Sequence, residues 1–118
     1  MSLERVIKTL ECFGLSRLDA KVYIYLAKTG PQNTMDLAKG LKITEEQTNS
    51  SFNTLRDKGI IASNIRHPIL FCAFPFEKVL EILITTELEQ AKIIKETKKE
   101  LLSNWYSKDW KEKILEKT

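Results

Sequence analysis

A chain of 118 residues is long enough for one compact domain and an appendage. Its 42% hydrophobic and 30% charged residues suit a water-soluble protein with solvated helical faces, and no window of 18 or more apolar residues exists to span a membrane. The net charge of +3 excludes a polycation; the excess lies entirely in residues 1–75, with ten Lys/Arg against seven Asp/Glu, while residues 76–118 carry nine of each. The N-terminus has no signal-peptide core, so a cytoplasmic protein is the default expectation.

In chain order, Leu3, Val6, Ile7 and Leu10 recur at helical spacing and predict a helix over 3–12, ended by Gly14. Ser16 opens a second helix in the manner of a capping box. That helix carries Ala20, Tyr23, Ile24 and Ala27 on one face, Val22 and Leu26 beside them, and stops at Gly30-Pro31. A short third helix over 34–41 has Met35, Leu37, Ala38 and Leu41 as apolar positions. After the turn Lys42-Ile43, Thr44-Glu45-Glu46-Gln47 is a capping box that starts a fourth helix over 45–58, ended by Gly59. Two apolar, β-prone runs follow, 60–65 and 69–74, joined by Arg66-His67-Pro68; they predict a β-hairpin closed by Pro75. From Phe76 the helical period returns and continues to about Leu102, and Ser107 marks a break before a last helix carrying Trp110, Ile114 and Leu115.

Helices followed directly by a hairpin predict a mainly α fold with a small β-hairpin: a winged helix-turn-helix over residues 1–76, then a helical, coiled-coil-like segment over 77–118. The recognition helix would be 45–58. Thr48, Ser51, Phe52 and Leu55 turn inward, leaving Gln47, Asn49, Ser50, Asn53 and Thr54 outward. Asn and Gln side chains bond bidentately to adenine, and hydroxyls suit several base edges. Lys42, Arg56 and Arg66 would hold phosphates, with Thr44 and His67 also placed at the DNA, in the turn before the helix and in the wing. Glu45 and Glu46 suit the helix dipole but repel phosphate, and that leaves open a winged-helix protein-interaction module without direct DNA readout.

Several of these segments match a known pattern. Leu10-Glu11-Cys12-Phe13-Gly14-Leu15-Ser16-Arg17-Leu18-Asp19-Ala20-Lys21-Val22-Tyr23 resembles the opening of TrmB-type archaeal transcriptional regulators, with Asp19 in place of the usual Glu. Leu26 to Pro31, Asp36-Leu37-Ala38, Leu55 to Ile61, His67-Pro68, Phe71 and Pro75 to Leu80 are similar to the family's continuation, so that the likeness covers roughly 8–82. The resemblance implies a DNA-binding module with a dimerisation helix. Family members often carry basic residues and a Tyr in the recognition helix, where this chain has Glu45 and Asn49. Longer members also bear a sugar-binding effector domain, for which 118 residues leave no room.

On the last segment Ile84, Leu88, Ala91, Ile94, Leu101 and Trp105 form an apolar stripe interrupted by Lys98, while Leu80 and Leu83 can pack back on the domain. A second copy is the expected partner for that stripe, with Trp110 also at the homodimer interface; a fold-back on its own domain is the alternative. Catalysis is not expected: the only histidine, His67, has no nucleophile or acid beside it, and the four glycines are isolated punctuation, not a phosphate loop. Neither a metal nor a cofactor is expected. Cys12 and Cys72, far apart and without CxxC spacing, read as small buried hydrophobes, with redox sensing as the alternative.

Overall fold

Each of the first four helices begins where a short polar side chain takes the place of a missing backbone acceptor. The computed structural model describes residues 2–117. Ser2 caps α1 (Leu3–Cys12), Ser16 caps α2 (Arg17–Thr29), Asn33 caps α3 (Thr34–Leu41) and Thr44 caps α4 (Glu45–Asp57), each accepting from the amide three residues on. Gly14, which follows α1, and Gly30, the C-cap of α2, sit at φ 93° and 87°, left-handed geometry that glycine alone adopts freely. The helix limits expected from caps and glycines hold to within a residue.

Gly40 is different. It lies inside α3, where an added Cβ would overlap the Tyr25 hydroxyl and come within 2.5 Å of Cζ. It is a point of close approach between α2 and α3, not a punctuation mark as expected.

After α4, β1 (Ile61–Ser63) pairs antiparallel with β2 (Phe71–Ala73), with Ala62 opposite Cys72. Gln32 adds a one-residue bridge to the free edge of β2, exchanging backbone bonds of 2.8 and 3.0 Å with Phe71. The ladder is shorter than the apolar runs suggest because Asn64 ends it. Its side chain accepts from the Leu70 amide at 2.9 Å and donates to the Pro68 carbonyl at 3.3 Å, folding the wing turn. Ile65, expected in the first strand, is therefore 97% exposed at the wing tip.

The chain divides into two compact units, Met1–Ile84 and Thr85–Thr118. In the first, Leu10, Ala20, Val22, Tyr23, Leu26, Leu37, Phe52, Leu55, Ile60, Ile61 and Val79 make a continuous core. Val79 and Leu83 come from the start of α5 (Phe76–Glu96). Phe52 of α4 stacks on Phe71 of β2 with ring centroids 4.0 Å apart, fastening the wing to the helix. The buried Ser51 hydroxyl donates to the Asp19 carboxylate at 2.7 Å, tying α4 to the first turn of α2. On the surface, Arg17 pairs with Glu4 at 2.6 Å, and that hydrogen bond holds the Glu4 carboxyl below the usual range.

Not every apolar position is used. Ala27 and Met35 face solvent, and so do both cysteines. The expectation of buried thiols is corrected: alternation along β2 turns Phe71 inward and Cys72 outward, and Cys12 lies on the solvent side of α1.

Tyr23 is 1% exposed and its hydroxyl donates to the Phe74 carbonyl at 2.6 Å. Burial pushes the phenol up from 10.0 to about 12. Only the unfolded chain loses this proton between those values, so stability should be full below pH 10 and fall as pH rises toward 12. Urea midpoints measured across that window should show the loss in the parent protein. In Tyr23→Phe this group's share of the loss should vanish, with a cost of about 1 kcal/mol at neutral pH from the missing hydrogen bond.

The second unit is helical. α5 stops at Glu96 instead of running to Leu102, and Thr97 separates it from α6 (Lys98–Trp105). The Thr97 hydroxyl donates back to the Ile93 carbonyl at 2.8 Å, a local bond that competes with regular helix geometry. The expected break at Ser107 is present. There the hydroxyl donates to the Asp109 carboxylate, which also meets Lys113 at 3.3 Å, and α7 (Trp110–Lys117) follows. These two contacts, that with Ser107 first, hold the Asp109 carboxyl below the usual carboxylate range. No described residue of α6 or α7 is buried.

Candidate nucleic-acid interface

The site is built on α4, which is held from beneath. Thr48, Ser51, Phe52 and Leu55, at helical spacing, are all at most 2% exposed. The opposite row is then fixed by 3.6 residues per turn: Glu46, Ser50, Asn53 and Asp57 point outermost, all exposed. Asn49 and Arg56 flank that row on one side, Gln47 and the half-buried Thr54 on the other. The expected inward and outward faces are both correct.

Three of these polar side chains already serve the protein, the first of them in the capping box expected from the sequence. The Gln47 carbonyl oxygen accepts from the Thr44 amide at 3.0 Å, and the Thr44 hydroxyl accepts from the Gln47 amide at 3.0 Å, completing the capping box. The Asn53 oxygen accepts from Arg56 at 2.9 Å. The Asn49 oxygen accepts from the Thr34 hydroxyl at 3.1 Å. This last bond brings the N-terminus of α3, with Asn33 and Thr34, onto the same side as α4's flank. Thr34 was not expected at the site, since its link to Asn49 spans 15 residues; the N-cap Asn33 is the one local signal that marks this helix start.

Lys42 occupies the turn between α3 and α4 at φ 57° and ψ 45°, a left-handed conformation that costs a side chain about 1–2 kcal/mol relative to glycine. Its side chain is exposed, as are those of Thr44, Arg56, Arg66 and His67. Arg66 and His67 lie in the wing turn. The structure thus gathers Lys42, Thr44, Gln47, Asn49, Ser50, Asn53 and Arg56 on α4 and the turn that leads into it, and puts Arg66 and His67 on the separate wing element. Lys42→Gly should leave the urea midpoint unchanged or raise stability by up to about 1 kcal/mol, because relief of strain is partly offset by the freer unfolded chain. Its affinity for a duplex should fall nonetheless; a variant less stable than the parent would contradict the strain argument.

A separate groove of about 600 Å³ opens between α1, α2 and the β2–α5 junction, walled by Val6, Ile24, Ala27 and Phe74 among others. None of the residues expected to touch DNA lines it. Among the described residues no group of His, Cys, Asp and Glu is arranged to hold a metal ion.

A turn-linked helix pair, with the second helix buried on one side and polar on the other and followed by a short hairpin, is a winged helix-turn-helix. Residues 10–77 match the family described as sugar-specific transcriptional regulator TrmB, more than half of the chain. The chain belongs to the TrmB family of transcriptional regulators. Solved structures agree on the fold of this TrmB-family protein. TrmBL2, described as an archaeal chromatin protein with a novel mode of DNA binding, is similar at 24% identity and a TM-score of 0.77, covering 89% of this chain and 41% of its own. The chain thus spans less than half the length of that relative. The ST1889 protein of Sulfolobus tokodaii is similar at 18% identity, TM-score 0.63, over 78% of this chain and 99% of its own. A possible transcriptional regulator from Methanosarcina mazei matches at 17%, TM-score 0.62, over 91% of both. No curated protein matches. Membership in a family of transcriptional regulators weighs against the protein-interaction reading that Glu45 and Glu46 left open. No described helix is long and apolar enough to cross a membrane.

Proposed function

We propose that this TrmB-family regulator binds double-stranded DNA sequence-specifically in the cytoplasm, by recognition without catalysis. In this reading, residues 1–76 form the DNA-binding domain, with α4 in the major groove and the wing at 66–68 beside it. Residues 77–118 pair two copies. The observation that carries the proposal is the orientation of α4: an apolar side buried in the core and a polar side exposed to solvent, with Lys42 and Arg56 exposed on and just before the helix and Arg66 exposed on the wing. The DNA-binding description of TrmBL2, whose fold is similar, supports it.

Pairing is supported by the surface of α5, α6 and α7. In the single chain Leu88 is 66%, Ile94 59%, Leu101 50%, Trp105 77% and Trp110 57% exposed, and Ile84 and Ala91 are exposed with them. That much apolar surface is normally covered. A second copy would bury it and join two α4 helices in one assembly, one for each of two half-sites.

Titrating random duplex DNA with the protein at rising salt tests this reading. Log affinity should fall linearly with log salt, and removing Lys42, Arg56 or Arg66 singly should reduce the slope by about one per bound copy. Sedimentation should give twice the 13.7 kDa chain mass. A monomer that does not bind duplex at low salt would return the protein-interaction reading.

A further inference from the structure

The tip of the wing carries apolar surface that phosphate contacts do not use, and what it does rests on the DNA-binding reading. We infer that Ile65 is an apolar wedge, pressed into the minor groove next to the major-groove site of α4, and that it bends the duplex there. Ile65 is 97% exposed, more than any other large hydrophobic side chain among the described residues. One exposed isoleucine is ordinary on a protein surface. This one is not isolated: Pro68 and Ile69 are exposed on the same turn, and so are Arg66 and His67. The turn is also closed at its base. The Asn64 amide donates to the Leu70 carbonyl at 3.1 Å, and the Asn64 side chain bonds both the Leu70 amide and the Pro68 carbonyl.

Charge says what the tip meets. Residues 58–76 contain no Asp or Glu and carry Lys58 and Arg66, whereas α4 itself is net −2. The wing is thus the element that approaches a polyanion without carboxylates of its own. Its partner must be anionic and must also offer apolar surface. A row of phosphates lacks the second property. The minor groove has both, with phosphates on its rims, sugars along its walls and base steps on its floor. Being about 6 Å wide, it admits a narrow turn where a helix does not fit. The stack of Phe52 on Phe71 ties the wing to α4, so with α4 in the major groove the tip faces the adjoining minor groove. Apolar side chains inserted there part neighbouring base pairs and kink the duplex by about 20–90° toward the major groove. Arg66 stays with the phosphates of the rim. Pyrimidine–purine steps, TA and CA/TG, part most easily, so Ile65 selects by deformability and not by hydrogen bonds.

The test compares the parent with Ile65→Ser and Ile65→Leu on a duplex selected by the parent and labelled with a dye at each end. Neither substitution should move the urea midpoint, because the side chain is almost wholly in solvent. Energy transfer between the dyes should rise as the parent binds, reporting the bend. Ile65→Ser should remove that rise and weaken binding about tenfold, the burial of an isoleucine less the cost of unstacking. Ile65→Leu, equally apolar, should keep the bend. Selection from a random library should give the parent a pyrimidine–purine step flanking the bases that face α4. Ile65→Ser should lose that step and keep those bases. A duplex left straight by the parent, a bend unchanged in Ile65→Ser, or a bend lost equally in Ile65→Leu would overturn the wedge and leave DNA binding standing. No binding by the parent at low salt would overturn both.

Discussion

Phe52→Ala is expected to cost about 3–5 kcal/mol, the range for removing a fully buried aromatic side chain. Against a total of about 5–15 kcal/mol for a domain, that loss leaves the variant marginal or unfolded at room temperature. The size follows from its position. Phe52 is 1% exposed on the inner face of α4, and its ring is one half of the stack with Phe71 that fastens β2. Truncation opens a cavity between helix and wing and removes the contact that fixes Phe71, whose backbone also holds Gln32. Urea unfolding followed by far-ultraviolet circular dichroism should show the drop. Tryptophan fluorescence should not track it well, because Trp105 and Trp110 both lie in the second unit and are exposed. A loss below about 1 kcal/mol would mean that α4 and the wing are not fastened through this ring.

The second large effect concerns binding. Lys42, Arg56 and Arg66 are the cations on α4, the turn before it and the wing turn that the proposal assigns to phosphates. They work against Glu45, Glu46 and Asp57, so that α4 itself, with Arg56 as its one cation, carries a net charge of −2. An interface this thin in positive charge has little redundancy. Charge-assisted contacts are worth about 1 kcal/mol or more each, so replacing all three by alanine should weaken duplex affinity roughly 100-fold per bound copy at moderate salt. The fold should survive, because all three side chains are exposed. Affinity within a few-fold of the parent would show that DNA, if bound, lies elsewhere.

The local features of this fold were open to reading in the chain. Ser16, Thr44 and Gln47 marked helix starts because a cap acts over three residues, and Gly14, Gly30 and Gly59 marked reversals because each has positive φ. The two sides of α4 followed from its period. What escaped depended on partners distant in sequence or on competition for one atom. Gln47 was read both as a cap and as a base reader, yet its single oxygen serves the cap. Gly40 is in place because Tyr25, fifteen residues away, crosses α3 there. Gln32 gained its bridge from Phe71, and Thr34 its bond from Asn49, contacts that no local pattern announces. Cys72 sits in an apolar run and still faces outward, because a strand turns alternate residues to opposite sides. The end of α5 at Glu96 carried no glycine or proline to give it away.

The central claim, that duplex DNA is met by the polar side of α4, is tested most directly by following backbone amide resonances as a selected duplex is added. Shifts should concentrate at 42–57, at the start of α3 around Thr34 and at Arg66-His67, with the α1–α2 groove unaffected. Shifts centred on that groove, with α4 silent, would contradict the account.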